Sequence, residues 1–159
     1  MNPLDSASWI WGLLLIALTI AMHATGVVTI AILGLLIRAR LEIRTRGFRQ
    51  LMLITIGNVG AMGLLLAVLH GTEAVIWAAA YVWLGALNLP KDAILYSLDS
   101  MSTRGASGLK LEQHWQVMGA LEAANGMLLF GISTAYIFAV MLEYWSMLSA
   151  LLNTRQHPR

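Results

Sequence analysis

The stretch KDAILYSLDSMSTRGASGLK, residues 91–110, decides how this chain is organised. Its first part, residues 91–102, is predicted to be a helix, because Pro90 suits the first turn of a helix. At about 1.5 Å per residue, a helix of about 12 residues is too short to cross a hydrocarbon core of about 30 Å. The polar segment STRGASGLK, residues 102–110, follows it, and apolar runs lie on both sides. Irregular backbone at membrane depth is tolerated where it is buried in protein or lines a water-filled cavity, so this pattern predicts a re-entrant element.

The composition of the whole chain places it in a membrane. Of its 159 residues, 58% are hydrophobic and 11% are charged, whereas soluble domains carry about 25% charged residues. A soluble core of this size cannot bury so much apolar sequence. We therefore predict a single all-α domain whose main partner is the lipid bilayer. The net charge of +2 is too small to suggest a nucleic-acid partner, and the absence of cysteine excludes thiolate metal sites and a cysteine nucleophile.

Three long apolar runs are predicted to cross the membrane: residues 9–37, 50–70 and the first part of 115–152. Five of the ten basic residues lie between positions 38 and 49. The positive-inside rule puts that loop and the C-terminus in the cytoplasm and the N-terminus outside, in what we expect to be a bacterial inner membrane. The predicted division of residues 1–159 is N-terminal spans (1–70), an outer or partly embedded helix (71–90), a short helix with its loop (91–112), and an inner helix with a cytoplasmic tail (113–159).

Residues 73–87 allow two interpretations. The run EAVIWAAAYVWLGAL is apolar but short, so it is either a fourth crossing or a helix at the outer surface. A fourth crossing would separate the C-terminal arginines from the basic loop by the bilayer. The positive-inside rule therefore favours the helix that does not cross.

The stretch AILYSLDSMSTRGASG, residues 93–108, resembles the pore helix and selectivity filter of potassium channels, whose pattern is roughly A-L-Y-F-S-x-x-T-x-T-T-V-G-Y-G-D. The residues in register are Ala93, Tyr96, Ser97, Ser102, Thr103 and Gly105. MGALEAANGMLLFGISTAYIFAV, residues 118–140, resembles the inner helix of the two-transmembrane channel superfamily. The resemblance implies a homotetramer around a central pore. It also implies passive conduction of a monovalent cation, with no other cofactor and no enzymatic activity.

The same resemblance assigns roles to particular residues. The constriction would be formed by Ser102, Thr103, Arg104, Gly105, Ala106, Ser107 and Gly108, and the inner-helix hinge or gate by Gly126, Gly131, Thr134 and Phe138. The two glycines are equally explained as close-packing positions. The family has Val, Tyr and Gly where this chain has Arg104, Ala106 and Ser107, which predicts a constriction of non-standard shape and puts potassium selectivity in doubt.

Arg104 has two possible orientations. In the family pattern its side chain points away from the pore, where Asp99, five residues earlier, would form a charge-assisted pair with it behind the filter. If it faced the lumen instead, four guanidinium groups would repel cations and give an anion-preferring or closed path. On the inner helix, Glu122 and Asn125 lie one turn apart and are expected to hydrogen-bond to the pore helix, in a packing role.

Other readings of the chain stay open. It could be a non-conducting or regulatory membrane subunit with a decayed pore. GASG also resembles the serine motif of rhomboid intramembrane proteases, with Ser107 as nucleophile, but residues 115–156 contain no histidine to serve as base. No metal site is expected, because His70, Glu73 and His114 are scattered along the sequence. His23 is interpreted as bonded to a neighbouring helix, with a proton site as the alternative.

Overall fold

The structure, a computed structural model, describes residues 3–40, 48–105 and 108–156. In these ranges the chain is helical: α1 is Pro3–Arg40, α2 is Phe48–Trp83, α3 is Pro90–Met101, a short 3₁₀ helix is Gln113–Trp115, and α4 is Gln116–Gln156. Strands are absent from the same ranges. The all-α prediction is therefore confirmed for the part of the chain that is described.

Three helical segments are long and apolar enough to cross a membrane, namely Ser6–Ile37, Arg49–Trp83 and Gln113–Ala150. Many of their large apolar side chains are exposed, among them Leu64, Phe138 and Trp145. Side chains of this kind on a helix surface suit a lipid environment, where they have no need of a protein core. The prediction of three helices that are long and apolar enough to cross a membrane is confirmed.

The second span is longer than predicted. Residues 73–83 continue α2 without a break, so they form neither a separate outer helix nor a fourth crossing. Gly71 lies inside the helix, where a glycine costs only about 1 kcal/mol, and no proline lies between Gly71 and the end of the helix at Trp83. The helix ends at Trp83 in a Schellman motif: the Gly85 N–H donates to the Val82 carbonyl at 3.1 Å and the Ala86 N–H to the Tyr81 carbonyl at 2.9 Å.

The helices divide between two compact units. The first contains residues 3–25 and 68–131, and the second contains residues 26–67 and 132–156, as far as these are described. The core of the first unit includes Trp77, Tyr81, Met118 and Leu129, all fully or almost fully buried. Within it, the Met118 N–H near the start of α4 donates to the Ser8 hydroxyl at 3.0 Å.

The second unit is held by polar contacts as well as apolar packing. The Asn58 side-chain amide donates to the Tyr144 hydroxyl at 2.8 Å, and Tyr144 is almost fully buried. Leu51, Met62 and Leu66 are buried apolar residues of the same unit. Because buried polar groups cost free energy unless they are hydrogen-bonded, the Asn58–Tyr144 pair explains how an amide is accommodated among apolar side chains.

Candidate functional site: the short helix and its loop

Helix α3 is the feature that distinguishes the first unit from a plain helical bundle. It has 12 residues, Pro90–Met101, and begins at Pro90. These bounds are close to the predicted range of residues 91–102. Proline is favoured there because its fixed φ suits a helix and its missing N–H would have had no partner in any case. Ala93, Ser97 and Met101 are buried on one face, so α3 is docked against the protein rather than extending from it.

A buried polar network holds α3 to its neighbours. The Ser97 hydroxyl contacts the Glu122 carboxyl group on α4 and lies 2.8 Å from the Ala74 carbonyl on α2. The Tyr81 hydroxyl donates to the other Glu122 oxygen at 2.7 Å. Ser97, Glu122 and Tyr81 are all fully buried. Three helices therefore meet at one carboxyl group.

The number of protons in this network favours a neutral Glu122. A serine hydroxyl has one proton and can donate only one hydrogen bond. Ser97 contacts two acceptors, the Ala74 carbonyl and the Glu122 carboxyl group. One arrangement that makes both contacts full hydrogen bonds has a proton on Glu122, which donates it to Ser97, while Ser97 donates to the Ala74 carbonyl. A neutral carboxyl group also avoids the high cost of burying a charge.

Asn125 does not share this role. The prediction that Glu122 bonds to the short helix is confirmed, but the Asn125 amide instead donates to the Thr19 hydroxyl of α1 at 2.8 Å. Glu122 and Asn125 are three residues apart, slightly less than one full helical turn. Their side chains therefore point in somewhat different directions and meet different helices. Together they connect α4 to α1, α2 and α3.

The end of α3 is a second Schellman motif, with a threonine in the place of glycine. The Thr103 N–H donates to the Ser100 carbonyl and the Arg104 N–H to the Asp99 carbonyl, both at 2.9 Å. Thr103 has φ of 55°, a left-handed conformation that is an outlier for a β-branched residue. Gly105 follows with φ of 60°. Strained backbone of this kind clusters at functional sites, where the surrounding structure holds it in place.

Arg104 and Asp99 form an ion pair through the arginine Nε and one carboxylate oxygen. The Asp99 side chain is only 5% exposed, whereas that of Arg104 is 60% exposed. The hydrogen bond to Asp99, followed by the charge of that carboxylate, raises the pKa of Arg104, so the guanidinium stays charged. Of the two orientations considered for Arg104, this is the one in which it pairs with Asp99. That the pair lies behind a selectivity filter stays a prediction.

A glycine on α4 lets α3 approach closely. A β-carbon at Gly126 would lie 2.7 Å from Met101 Cα and 2.9 Å from its carbonyl carbon. Such a clash is with the backbone, so no side-chain rotation can relieve it. By contrast, a β-carbon at Gly131 would meet nothing within 4 Å. Of the two explanations for these glycines, close packing therefore holds at Gly126. Neither glycine interrupts α4.

The remaining predicted site residues are placed as follows. Ser102, Thr103, Gly105 and Gly108 are exposed, and Gly108 has φ of 70°. Ala106 and Ser107 lie outside the described residues, and with them the possible serine nucleophile. Thr134 and Phe138 are exposed on α4. A cleft of about 380 Å³ borders the loop, lined by Tyr96, Asp99, Ser100, Thr103, Gly105, Leu109 and Ala123.

One cluster was not predicted. His70, Glu73 and His114 are scattered along the sequence, but His70 and Glu73 lie one turn apart on α2. Glu73 contacts His23 of α1, and the His23 and His70 rings lie 5.0 Å apart. His114 lies elsewhere, 3.6 Å from Glu112. The spacing of three residues between His70 and Glu73 was the available signal, since residues i and i+3 share a helix face. The presumed break after residue 70 obscured it.

Comparison of the chain with models of protein families, with characterised proteins and with solved structures finds no match. The function is therefore inferred from the geometry of this chain.

Proposed function

We propose that the chain is the subunit of a homotetrameric pore-loop channel that conducts monovalent cations passively. In this proposal α3 is a re-entrant pore helix, and residues 102–108 form the constriction. The observation that carries it is the docking of α3. A helix of 12 residues lies between the second and third spans, is held by buried hydrogen bonds from Ser97 to α2 and α4, and ends in strained backbone.

The direction of α3 supports conduction of cations. Its C-terminal end, at Met101, is followed directly by the proposed constriction. The C-terminus of a helix carries a partial negative charge, equivalent to about half an elementary charge, and favours a cation nearby. Exposed backbone carbonyls in the loop would add to this, as they do in selectivity filters.

The ion pair at Arg104 supports a pore that conducts cations over a pore that prefers anions. A guanidinium paired with Asp99 of the same subunit contributes less positive potential to a pore than an unpaired one. In a tetramer, the four Arg104–Asp99 pairs around the constriction would together carry almost no net charge. The departures from the potassium-channel pattern at Arg104, Ala106 and Ser107 still argue against a standard potassium filter.

The exposed face of α3 supports an oligomer. Ile94, Leu95 and Leu98 are each 40% exposed or more, on a helix that in this proposal enters the membrane beside the pore. One loop supplies only one wall of a constriction, so several copies must surround it. By the resemblance to potassium channels, the number is four.

Reconstitution into liposomes tests the proposal. The chain has no cysteine, so Thr103→Cys introduces a single reactive thiol at the constriction. We expect potassium or sodium flux from the purified tetramer, and we expect a charged methanethiosulfonate reagent to stop it in Thr103→Cys. The matched control is Leu64→Cys, at a span position that is 68% exposed, where the reagent should leave flux unchanged.

Each other outcome selects an alternative. Chloride flux in place of cation flux would indicate an anion-preferring pore with Arg104 in the lumen. An intact tetramer that conducts no ion would support a non-conducting or regulatory subunit. Labelling of Ser107 by a serine-reactive phosphonate would revive the rhomboid-like protease.

A further inference from the structure

Three side chains that commonly ligate metals meet in the first unit, away from the proposed pore loop. The His23 Nδ1 lies 2.8 Å from one Glu73 carboxylate oxygen, and the His70 Nδ1 lies 3.2 Å from the other. One ligand atom from each of the three residues lies within 4.8 Å of the others. Among the described residues this is the one group of three such side chains that could hold a metal ion.

The cluster is buried and its geometry is constrained. His23 and Glu73 are fully buried, and the His70 side chain is 14% exposed. The Phe130 ring stacks on the His70 ring with a centroid distance of 4.6 Å and an interplanar angle of 16°. This contact fixes the plane of one imidazole, and the rigidity of α2 fixes the spacing of His70 and Glu73. A site whose ligands are held in this way loses little entropy when it binds an ion.

The charge of the cluster favours a cation. A carboxylate inside a membrane-spanning helix is costly unless a proton, a basic group or a metal ion compensates it. The Glu73 Oε2 atom is buried and makes no hydrogen bond within the described part of the chain, although His70 lies close to it. Both neighbours of the carboxylate are imidazoles, which ligate metals in their neutral form.

The donor set selects the class of ion. Two imidazole nitrogens and one carboxylate oxygen suit Zn²⁺ and neighbouring divalent transition metals, which accept three protein ligands and a fourth position for water. Mg²⁺ and Ca²⁺ prefer oxygen ligands, of which this cluster supplies only one carboxylate. We propose that His23, His70 and Glu73 bind one divalent transition-metal ion of the Zn²⁺ class and thereby join α1 to α2.

Binding would exchange one interaction for another. The hydrogen bond between His23 and Glu73 has to open, and both side chains then ligate the ion at about 2.0–2.2 Å. Because the ligands must be deprotonated, binding releases any proton that the pair carries. The proposal does not depend on whether the chain conducts ions.

Metal titration of the purified, metal-stripped full-length protein in detergent tests this inference. We expect one Zn²⁺ per chain by elemental analysis, and a visible Co²⁺ spectrum typical of four-coordinate nitrogen and oxygen ligation. Loss of an outer-shell partner costs about 10–100-fold in metal affinity, so loss of a ligand in His23→Ala or Glu73→Gln should cost about 100-fold or more. The matched control is His114→Ala, which removes a histidine that also lies beside a glutamate.

A second readout separates loss of binding from loss of folding. Zn²⁺ should raise the Tm of the wild type and of His114→Ala, because a ligand that binds only the folded state stabilises it. It should leave the Tm of Glu73→Gln unchanged. If the wild type binds no more Co²⁺ or Zn²⁺ than Glu73→Gln does, or if His114→Ala removes the binding, the cluster is only a hydrogen-bonded packing contact and the proposal is wrong.

Discussion

Gly126 of α4 lies directly against the backbone of Met101 at the end of α3. A β-carbon on Gly126 would come within 2.7 Å of Met101 Cα, and a backbone atom can move away only if the end of α3 moves. The position of the candidate constriction, which follows α3 directly, therefore depends on the absence of a side chain at Gly126.

Gly126→Ala is expected to lower the free energy of unfolding by about 1–3 kcal/mol, the usual cost of overpacking. Gly131→Ala is the control. It adds the same methyl group five residues along the same helix, where nothing lies within 4 Å, and should raise stability by about 0.5–1 kcal/mol. Thermal unfolding of both variants in detergent measures the difference. Equal effects at the two positions would contradict the close approach of α3.

Thr103→Gly is expected to stabilise the protein. Thr103 holds the left-handed position that ends α3, as Gly85 does for α2, with φ of 55° and 72° respectively. An L-residue pays about 1–2 kcal/mol for that conformation, and glycine does not.

The matched control for this prediction is Thr103→Ala. It removes the hydroxyl but keeps the β-carbon, so it should raise the free energy of unfolding much less than Thr103→Gly does. Denaturant titration of the two variants and the wild type measures these free energies. A gain in Thr103→Ala equal to that in Thr103→Gly would show that the side chain, and not the backbone conformation, is the source of strain.

The sequence predicted the elements whose local chemistry is decisive. Pro90 marks the start of α3, and the polar residues from Ser102 onwards mark its end. The extent of α2 was not predicted: the second span was expected to end at residue 70, with residues 73–87 as a separate run. A helix continues through Gly71 and Thr72 when its apolar face is packed, and Trp77 and Tyr81 supply that packing.

The site was predictable to the extent that its partners are close in sequence. Arg104 and Asp99 are five residues apart, and their pairing was expected from the resemblance to the potassium-channel pattern, in which both positions lie behind the filter. His23 and Glu73 are 50 positions apart, and nothing in one sequence relates the rotation of α1 to that of α2. The same is true of Tyr81 and Glu122, whose contact depends on how two helices pack.

Glu122→Gln is expected to leave stability nearly unchanged, whereas Glu122→Ala should lower the free energy of unfolding by about 1–3 kcal/mol. If Glu122 is neutral, as the two acceptors around Ser97 favour, a glutamine can replace it: the amide donates to Ser97 and the carbonyl accepts from Tyr81. Glu112→Gln, at a side chain that is 67% exposed, controls for the loss of a carboxyl group. A large loss of stability in Glu122→Gln would show that the buried group is a carboxylate.

The Asp99–Arg104 pair is tested by a double-mutant cycle. We expect Arg104→Val and Asp99→Asn each to lower the Tm, since each breaks the ion pair that joins Asp99 near the end of α3 to Arg104 of the loop. The double variant should lose less than the sum of the two. Because Arg104 is largely exposed, added salt should reduce the coupling. Lys110→Val, which removes another exposed cation of the same loop, is the control for net charge. Strictly additive losses, or a Lys110→Val effect as large as that of Arg104→Val, would mean that the pair does not stabilise the loop.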